Sequence, residues 1–268
     1  MRIHHLNCIS SCPLQPGKRL STFFLALLSP DFREDMTAIR QIENLGYNPQ
    51  DVRHIVLTHL DFDHAGGLDD FPNATVHLMD GEKKYAELQK TWLDRQRFRP
   101  AQWSTRKHWK GYDPEEEETW FGFQNVRHLK GLTDDILMIP LRGHTFGHAG
   151  VAIRNESGWL LNAGDAYFYP DEMNFENPRC TSGLQFYQWL MEKDRSARLD
   201  NQFRLRTLKR KEPNIRIFNS HDVAEFEALS GHSATVPAGL SSFREVTKAG
   251  IKTHRYFSDK NLRRPIQK

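Results

Sequence analysis

Apolar positions along the chain fall into short runs and helical stripes that alternate. Met36, Ile39, Ile42 and Leu45 recur at helical spacing, with Asp35 near the start and Gly46 as a stop, and predict an amphipathic helix. Pro49 breaks the pattern, and the β-branched run Ile55-Val56-Leu57 reads as a buried strand leading into Thr58 and His59. A second strand is expected at Thr75 to Met79, followed by a polar helix from Asp80 to Arg99. Further on, Ile136 to Leu141, Gly150 to Arg154 and Trp159 to Ala163 read as strands, with Asn155 to Gly158 as hairpin chemistry. Leu184, Tyr187, Leu190 and Met191 open a long helix, and Ile215 to Phe218 is another short strand ending near His221.

This alternation predicts an α/β fold. Neither an internal repeat nor a separating linker is visible, so residues 1–239 read as one domain, with a basic, polar, peripheral tail at 240–268. Residues 100–123 differ from their surroundings: Trp103, Trp109, Tyr112, Trp120, Phe121 and Phe123 lie in loop-like sequence. Two readings stand side by side, an insertion covering a pocket or a satellite core.

Composition narrows the function classes. With 38% hydrophobic and 26% charged residues, disordered and membrane classes are excluded, and the longest apolar run, Phe23 to Leu28, reads as core. Met1 to Leu6 lacks the apolar segment of a secretory signal, which predicts a cytoplasmic protein. A net charge of +3 is modest, and Arg204, Arg206, Lys209, Arg210 and Lys211 read as a solvated helix face, so a small-molecule substrate is expected and nucleic acid is not. Cys8, Cys12 and Cys180 form no paired Cys-x-x-Cys units and predict reduced thiols.

The chemistry concentrates in Thr58-His59-Leu60-Asp61-Phe62-Asp63-His64-Ala65-Gly66-Gly67, directly after a predicted strand. Imidazoles and carboxylates crowded together go unsatisfied when buried, unless a divalent cation takes up their lone pairs. Alternation puts His59, Asp61 and Asp63 on one side of an extended loop, and His64 follows as the chain turns. Three further candidates sit at predicted strand ends: His144 beside Gly143, Asp165 beside Gly164, and His221.

This pattern resembles the metallo-β-lactamase superfamily, and within it the lactonase-related branch, whose signature is His-x-His-x-Asp-His followed by separate His, Asp and His ligands. The resemblance runs from Met36 to His221. It implies a four-layer αββα sandwich and two divalent metal ions, with zinc first in line. By the same resemblance His59, Asp61 and His144 hold the first metal, Asp63, His64 and His221 the second, and Asp165 bridges them. The implied activity is that of a hydrolase in which a metal-bridging hydroxide attacks a lactone, ester or related carbonyl, with Asp63 or Asp165 carrying the proton. A tyrosine shortly after the bridging aspartate holds the substrate oxygen in lactonase-like relatives, which nominates Tyr167 or Tyr169. His148 reads as a residue that orients a ligand by hydrogen bond.

Two departures matter. Asp61 replaces the usual second histidine, and its anionic oxygen brings manganese or iron into range. Flavodiiron proteins also carry a carboxylate near this position, so a diiron redox protein is the rival reading. Upstream, the family fold begins with apolar strands ending in an Asp-x-Gly turn, and no such strand pair is visible before His59. An incomplete N-terminal sheet is therefore expected, with a strand edge uncovered and an impaired remnant as the third reading.

Overall fold

The computed structural model describes residues 1–8, 20–28, 30, 32–103, 105–113, 118–243 and 255–258. One sheet holds three parallel strands in the order β1 (His54–Val56), β2 (Thr75–Met79) and β3 (Trp109–Tyr112). The other runs β4 (Arg127–His128), β5 (Ile136–Pro140), β6 (Ala149–Asn155), β7 (Gly158–Asn162) and β8 (Ile215–Phe218). It is antiparallel as far as β7 and parallel between β7 and β8.

The sheets meet through a shared apolar cluster: Met79 and Tyr112 from the first pack with Met138 and Ala149 from the second. Helices cover the outer faces. On the first sheet Ala86, from helix α3 (Asp80–Leu88), joins Val76 and Leu78. On the second, Leu205 and Leu208, from helix α6 (Arg195–Lys211), join Leu161, Ile215 and Ile217. The result is the αββα sandwich. Each apolar sheet face is buried, one against its partner sheet and one under helices.

Several boundaries differ from the periodicity. The helix predicted over 80–99 is two, because Gln89 adopts a left-handed conformation (φ 44°) and Thr91 starts a new helix, Trp92–Arg97 (α4), with a reciprocal capping box to Asp94. The long helix predicted from Leu184 divides into α5 (Ser182–Met191) and α6, with Asp194 capping the latter. The intervening Lys193 and Asp194 both donate their N–H groups to the Gly143 carbonyl, tying the break to the His144 turn.

The aromatic segment resolves as core. Trp109–Tyr112 is a strand, and Trp103, Tyr112, Trp120 and Phe123 are buried in clusters under both sheets. Phe121 is 48% exposed. Among the described residues no strand precedes His54, and Phe23 to Leu28 lies in the short helix α1 (Thr22–Leu28). Phe24 of α1 packs its ring 4.4 Å from that of Phe62 in the ligand loop.

The tail yields a two-stranded antiparallel ribbon, Leu240–Phe243 with Arg255–Ser258. Its remaining residues and Cys12 lie outside the described residues, and Cys8 and Cys180 are free thiols. No helix among the described residues is long and apolar enough to cross a membrane. The basic face of α6 is turned partly onto its own fold: Arg204 bonds the Gly122 carbonyl, Arg206 the Glu172 carbonyl, and Arg210 pairs with Glu176.

Candidate metal centre

Four segments deliver the seven nominated side chains to one place. His59, Asp61, Asp63 and His64 lie on the loop after β1, His144 in the turn between β5 and β6, Asp165 after β7 and His221 after β8. They form two groups, His59 with Asp61 and His144, and Asp63 with His64, Asp165 and His221.

In the first group His59 Nε2 and His144 Nε2 lie 3.4 and 2.9 Å from Asp61 Oδ2. Asp165 Oδ2 lies 3.7 Å from His59 Nε2 and 3.5 Å from His144 Nε2. In the second, His64 Nε2 is 3.3 Å from Asp165 Oδ1 and 3.7 Å from Asp63 Oδ2, while His221 Nε2 is 3.1 Å from Asp165 Oδ2 and 3.7 Å from Asp63 Oδ2. Nitrogen and oxygen donors set about 2.1 Å from a tetrahedral cation stand about 3.4 Å apart, which is this spacing. The buried atoms His59 Nε2, His64 Nε2 and Asp165 Oδ1 have no hydrogen-bond partner. Such orphaned ligand atoms are costly in a folded interior, and divalent cations held there would satisfy them. The residues present fit two divalent metals.

The electrostatics agree. Burial alone raises a carboxyl, but the imidazoles of His221, His64 and His59 override it at Asp165 and hold that carboxyl well below the usual range. Burial lowers His64, yet Asp165 and Asp63 more than offset this and lift it to about 10. His59 is held well below its ordinary value by burial and by His64, so its ring is neutral and offers a lone pair.

A family model described as the metallo-beta-lactamase superfamily matches residues 30–221, most of the chain and all seven of these side chains. The chain belongs to the metallo-beta-lactamase superfamily. Probable metallo-hydrolases of Mycobacterium tuberculosis and Mycobacterium bovis are each 36% identical over 215 residues, covering 80% of this chain and 68% of theirs. An N-acyl homoserine lactonase of a Bacillus species is 25% identical over 208 residues, 76% of this chain and 69% of its own. Among solved structures, a quorum-quenching N-acyl homoserine lactone hydrolase superposes with a TM-score of 0.56 at 22% identity, over 74% of this chain and 69% of that one. A probable metal-dependent hydrolase of Staphylococcus aureus gives 0.52 at 18% identity, over 76% and 66%. These two establish the fold.

In this member of the superfamily the loops that carry the candidate ligands are braced by residues that sequence reasoning passed over. Glu82, fully buried at the first turn of α3, accepts hydrogen bonds from Leu60 N (2.9 Å), Thr145 Oγ1 (2.6 Å) and Gly147 N (3.1 Å). One carboxylate therefore joins the His59 loop to the His144 turn. Burial pushes it up to about 7, while the bonds from Thr145 and Leu60 pull it back. Glu82→Gln turns an amide N–H₂ toward one set of donors, and a loss of about 2–3 kcal/mol is expected in denaturant unfolding; a change under about 0.5 kcal/mol would refute the brace.

His148 bonds the backbone of the candidate ligand Asp165. Its Nδ1 donates to the Leu141 carbonyl at 2.8 Å, and its Nε2 accepts from the Asp165 N–H at 2.9 Å. Burial, followed by His144, lowers the ring to about 4 and keeps it in this neutral form.

Of the two nominated tyrosines, Tyr167 is engaged elsewhere. Tyr167 is fully buried, and its hydroxyl donates to the Glu225 carboxylate at 2.9 Å, which leaves it no proton for a substrate. Tyr169 precedes the turn Pro170–Met173, its N–H bonded to Glu172 at 3.0 Å. The tyrosine that senses the centre is Tyr187 of α5, whose hydroxyl is pushed up by burial and then by Asp63, Asp61 and Asp165. Phe168, three residues after Asp165, forms the adjoining wall: it stacks on His221 at 5.2 Å and meets the Tyr187 ring at 5.6 Å. Neither had a local signal, since an aromatic on a helix stripe and another after a strand both read as core. Arg97, fully buried against Asp61, was also missed.

Proposed function

We propose that this chain is a metal-dependent hydrolase of a lactone, ester or related small-molecule substrate, with Asp165 shared between two divalent cations. The observation that carries it is the convergence of seven donor side chains with three buried atoms that make no hydrogen bond. The lactonase relatives support the substrate class. Zinc suits the histidines, and the Asp61 carboxylate extends the range to manganese and iron.

Cations held there would supply Lewis acidity and make a water acidic enough to ionise near neutral pH. The protein's own groups then have distinct tasks. His59, Asp61 and His144 are buried, whereas the Asp63, His64 and His221 side chains are 18%, 14% and 35% exposed, so substrate approaches from that side. Asp63, on that open rim, receives a proton and passes it to the leaving oxygen, because both Asp165 oxygens already face imidazoles. Tyr187 keeps its proton at neutral pH and donates to a substrate oxygen, taking the part first expected of Tyr167 or Tyr169. Phe168 and the ring of Tyr187 exclude water on one flank.

Metal analysis of the purified protein, with a panel of acyl homoserine lactones and aryl esters, tests the reading. About two divalent ions per chain are expected, with turnover lost on chelation and restored by zinc or manganese. Turnover indifferent to chelation would overturn it. Bound iron with oxygen consumption and no lactone or ester turnover would favour the redox rival.

A further inference from the structure

Arg97 is 0% exposed, and its guanidinium is spent almost wholly on the buried ligand group. Its Nε donates to Asp61 Oδ1 at 2.7 Å and its Nη2 to Asp61 Oδ2 at 2.5 Å. The same Nη2 lies 3.0 Å from His144 Nε2, and Nη1 donates to the Met191 carbonyl. The backbone locks this arrangement, because the Arg97 carbonyl accepts from the Phe62 N–H at 3.0 Å. One cationic nitrogen thus competes for the two atoms, Asp61 Oδ2 and His144 Nε2, that a cation in this group needs.

A histidine ligates without charge, whereas a carboxylate at position 61 adds one negative charge beside Asp63 and Asp165. A buried guanidinium within bonding distance of that carboxylate returns the local charge to that of a neutral donor. Taking the seven side chains as a two-cation centre, we propose that Asp61 and Arg97 act as one charge-neutral ligand unit. Arg97 thereby sets the affinity of the His59-Asp61-His144 group for its cation and keeps it below that of the Asp63-His64-Asp165-His221 group. Among the described residues the second group meets no arginine in its ion pairs, so it fills first and the buried group second. Arg97 is a positioning residue whose action runs through Asp61 and His144.

The test is titration of metal-free protein with Zn²⁺ and with Mn²⁺ against a competing chelator, resolving the two equivalents. Removing the guanidinium in Arg97→Met should tighten the weaker equivalent at least tenfold and leave the tighter one within about threefold, because Asp61 becomes a full anion. A merely structural role predicts the opposite sign. Arg97→Lys keeps the charge but loses the fork that holds both Asp61 oxygens, so the weaker equivalent should tighten less than in Arg97→Met.

Asp61→His rebuilds the family's histidine motif but strands a buried guanidinium beside it, so the weaker equivalent should loosen at least tenfold. Adding Arg97→Met to Asp61→His should bring it back. Should Arg97→Met not fold without metal, Arg97→Gln carries the same expectation. If the parent binds two cations but loss of Arg97 fails to tighten the weaker one, or the double variant shows no rescue, the Asp61–Arg97 unit falls and the two-cation reading survives. If the parent binds no cation, both fall.

Discussion

Asp165→Asn is expected to lower kcat/KM about a thousandfold or more, a loss of about 4 kcal/mol in transition-state stabilisation, and to release both cations together. Among the described residues Asp165 is the one side chain within 3.7 Å of His59, His64, His144 and His221 alike. Asparagine keeps the shape and the backbone bond to His148 but removes the charge that those imidazoles face. Two consequences separate this from simple unfolding. His64, held up to about 10 chiefly by Asp165 and Asp63 against the pull of burial, should titrate lower in the variant. His221, which burial lowers and Asp165 raises, should fall with it.

In the parent His64 carries a proton in the metal-free state at neutral pH, and a cation must displace it. Metal affinity should therefore weaken as pH falls, and this dependence should flatten in Asp165→Asn. Imidazole resonances followed by NMR, together with metal titration at several pH values, make the check. Undiminished turnover in Asp165→Asn would defeat the bridging assignment. His148→Ala, which leaves all seven donors in place, should cost about ten- to a hundredfold, as is usual for residues supporting a ligand.

Gly164→Ala is expected to destabilise the fold by about 2–5 kcal/mol, from about 1–2 for a left-handed alanine and about 1–3 for overpacking. Gly164 sits at φ +55°, and a Cβ there would lie 2.6 Å from His148 Nε2 and 3.0 Å from Thr58 Cβ. Neither neighbour yields cheaply: His148 is bonded at both nitrogens, and the Thr58 carbonyl accepts from the Ala149 N–H at 2.9 Å. The strain falls where the Asp165 N–H meets His148, so cation affinity should drop along with the denaturation midpoint. An alanine variant within about 0.5 kcal/mol of the parent would show that the turn relaxes freely.

Much of this centre was legible in the amino-acid order. Four potential ligands within six residues, at the end of an apolar strand, are a local pattern. The strands Thr75–Met79 and Ile215–Phe218 were read to their observed ends, because short apolar runs with β-branched residues act over a few neighbours. His144, Asp165 and His221 could be nominated for the same reason, each marked by a strand end and two of them by a glycine. The helix breaks at 89–91 and 192–194 were missed, since periodicity continues across them. The second is held by the Gly143 carbonyl, about fifty residues away in the chain.

Residue order by itself determined most of the strands, the candidate donors and the family, because each depends on short-range spacing and side-chain chemistry. Tertiary structure alone decided the partners of those donors. Arg97 meets Asp61 across 36 residues and Glu82 meets Thr145 across 63, contacts no local pattern encodes. Likewise, the Tyr167 hydroxyl is drawn to Glu225, 58 residues away, and that is settled only when the sheets and helices pack.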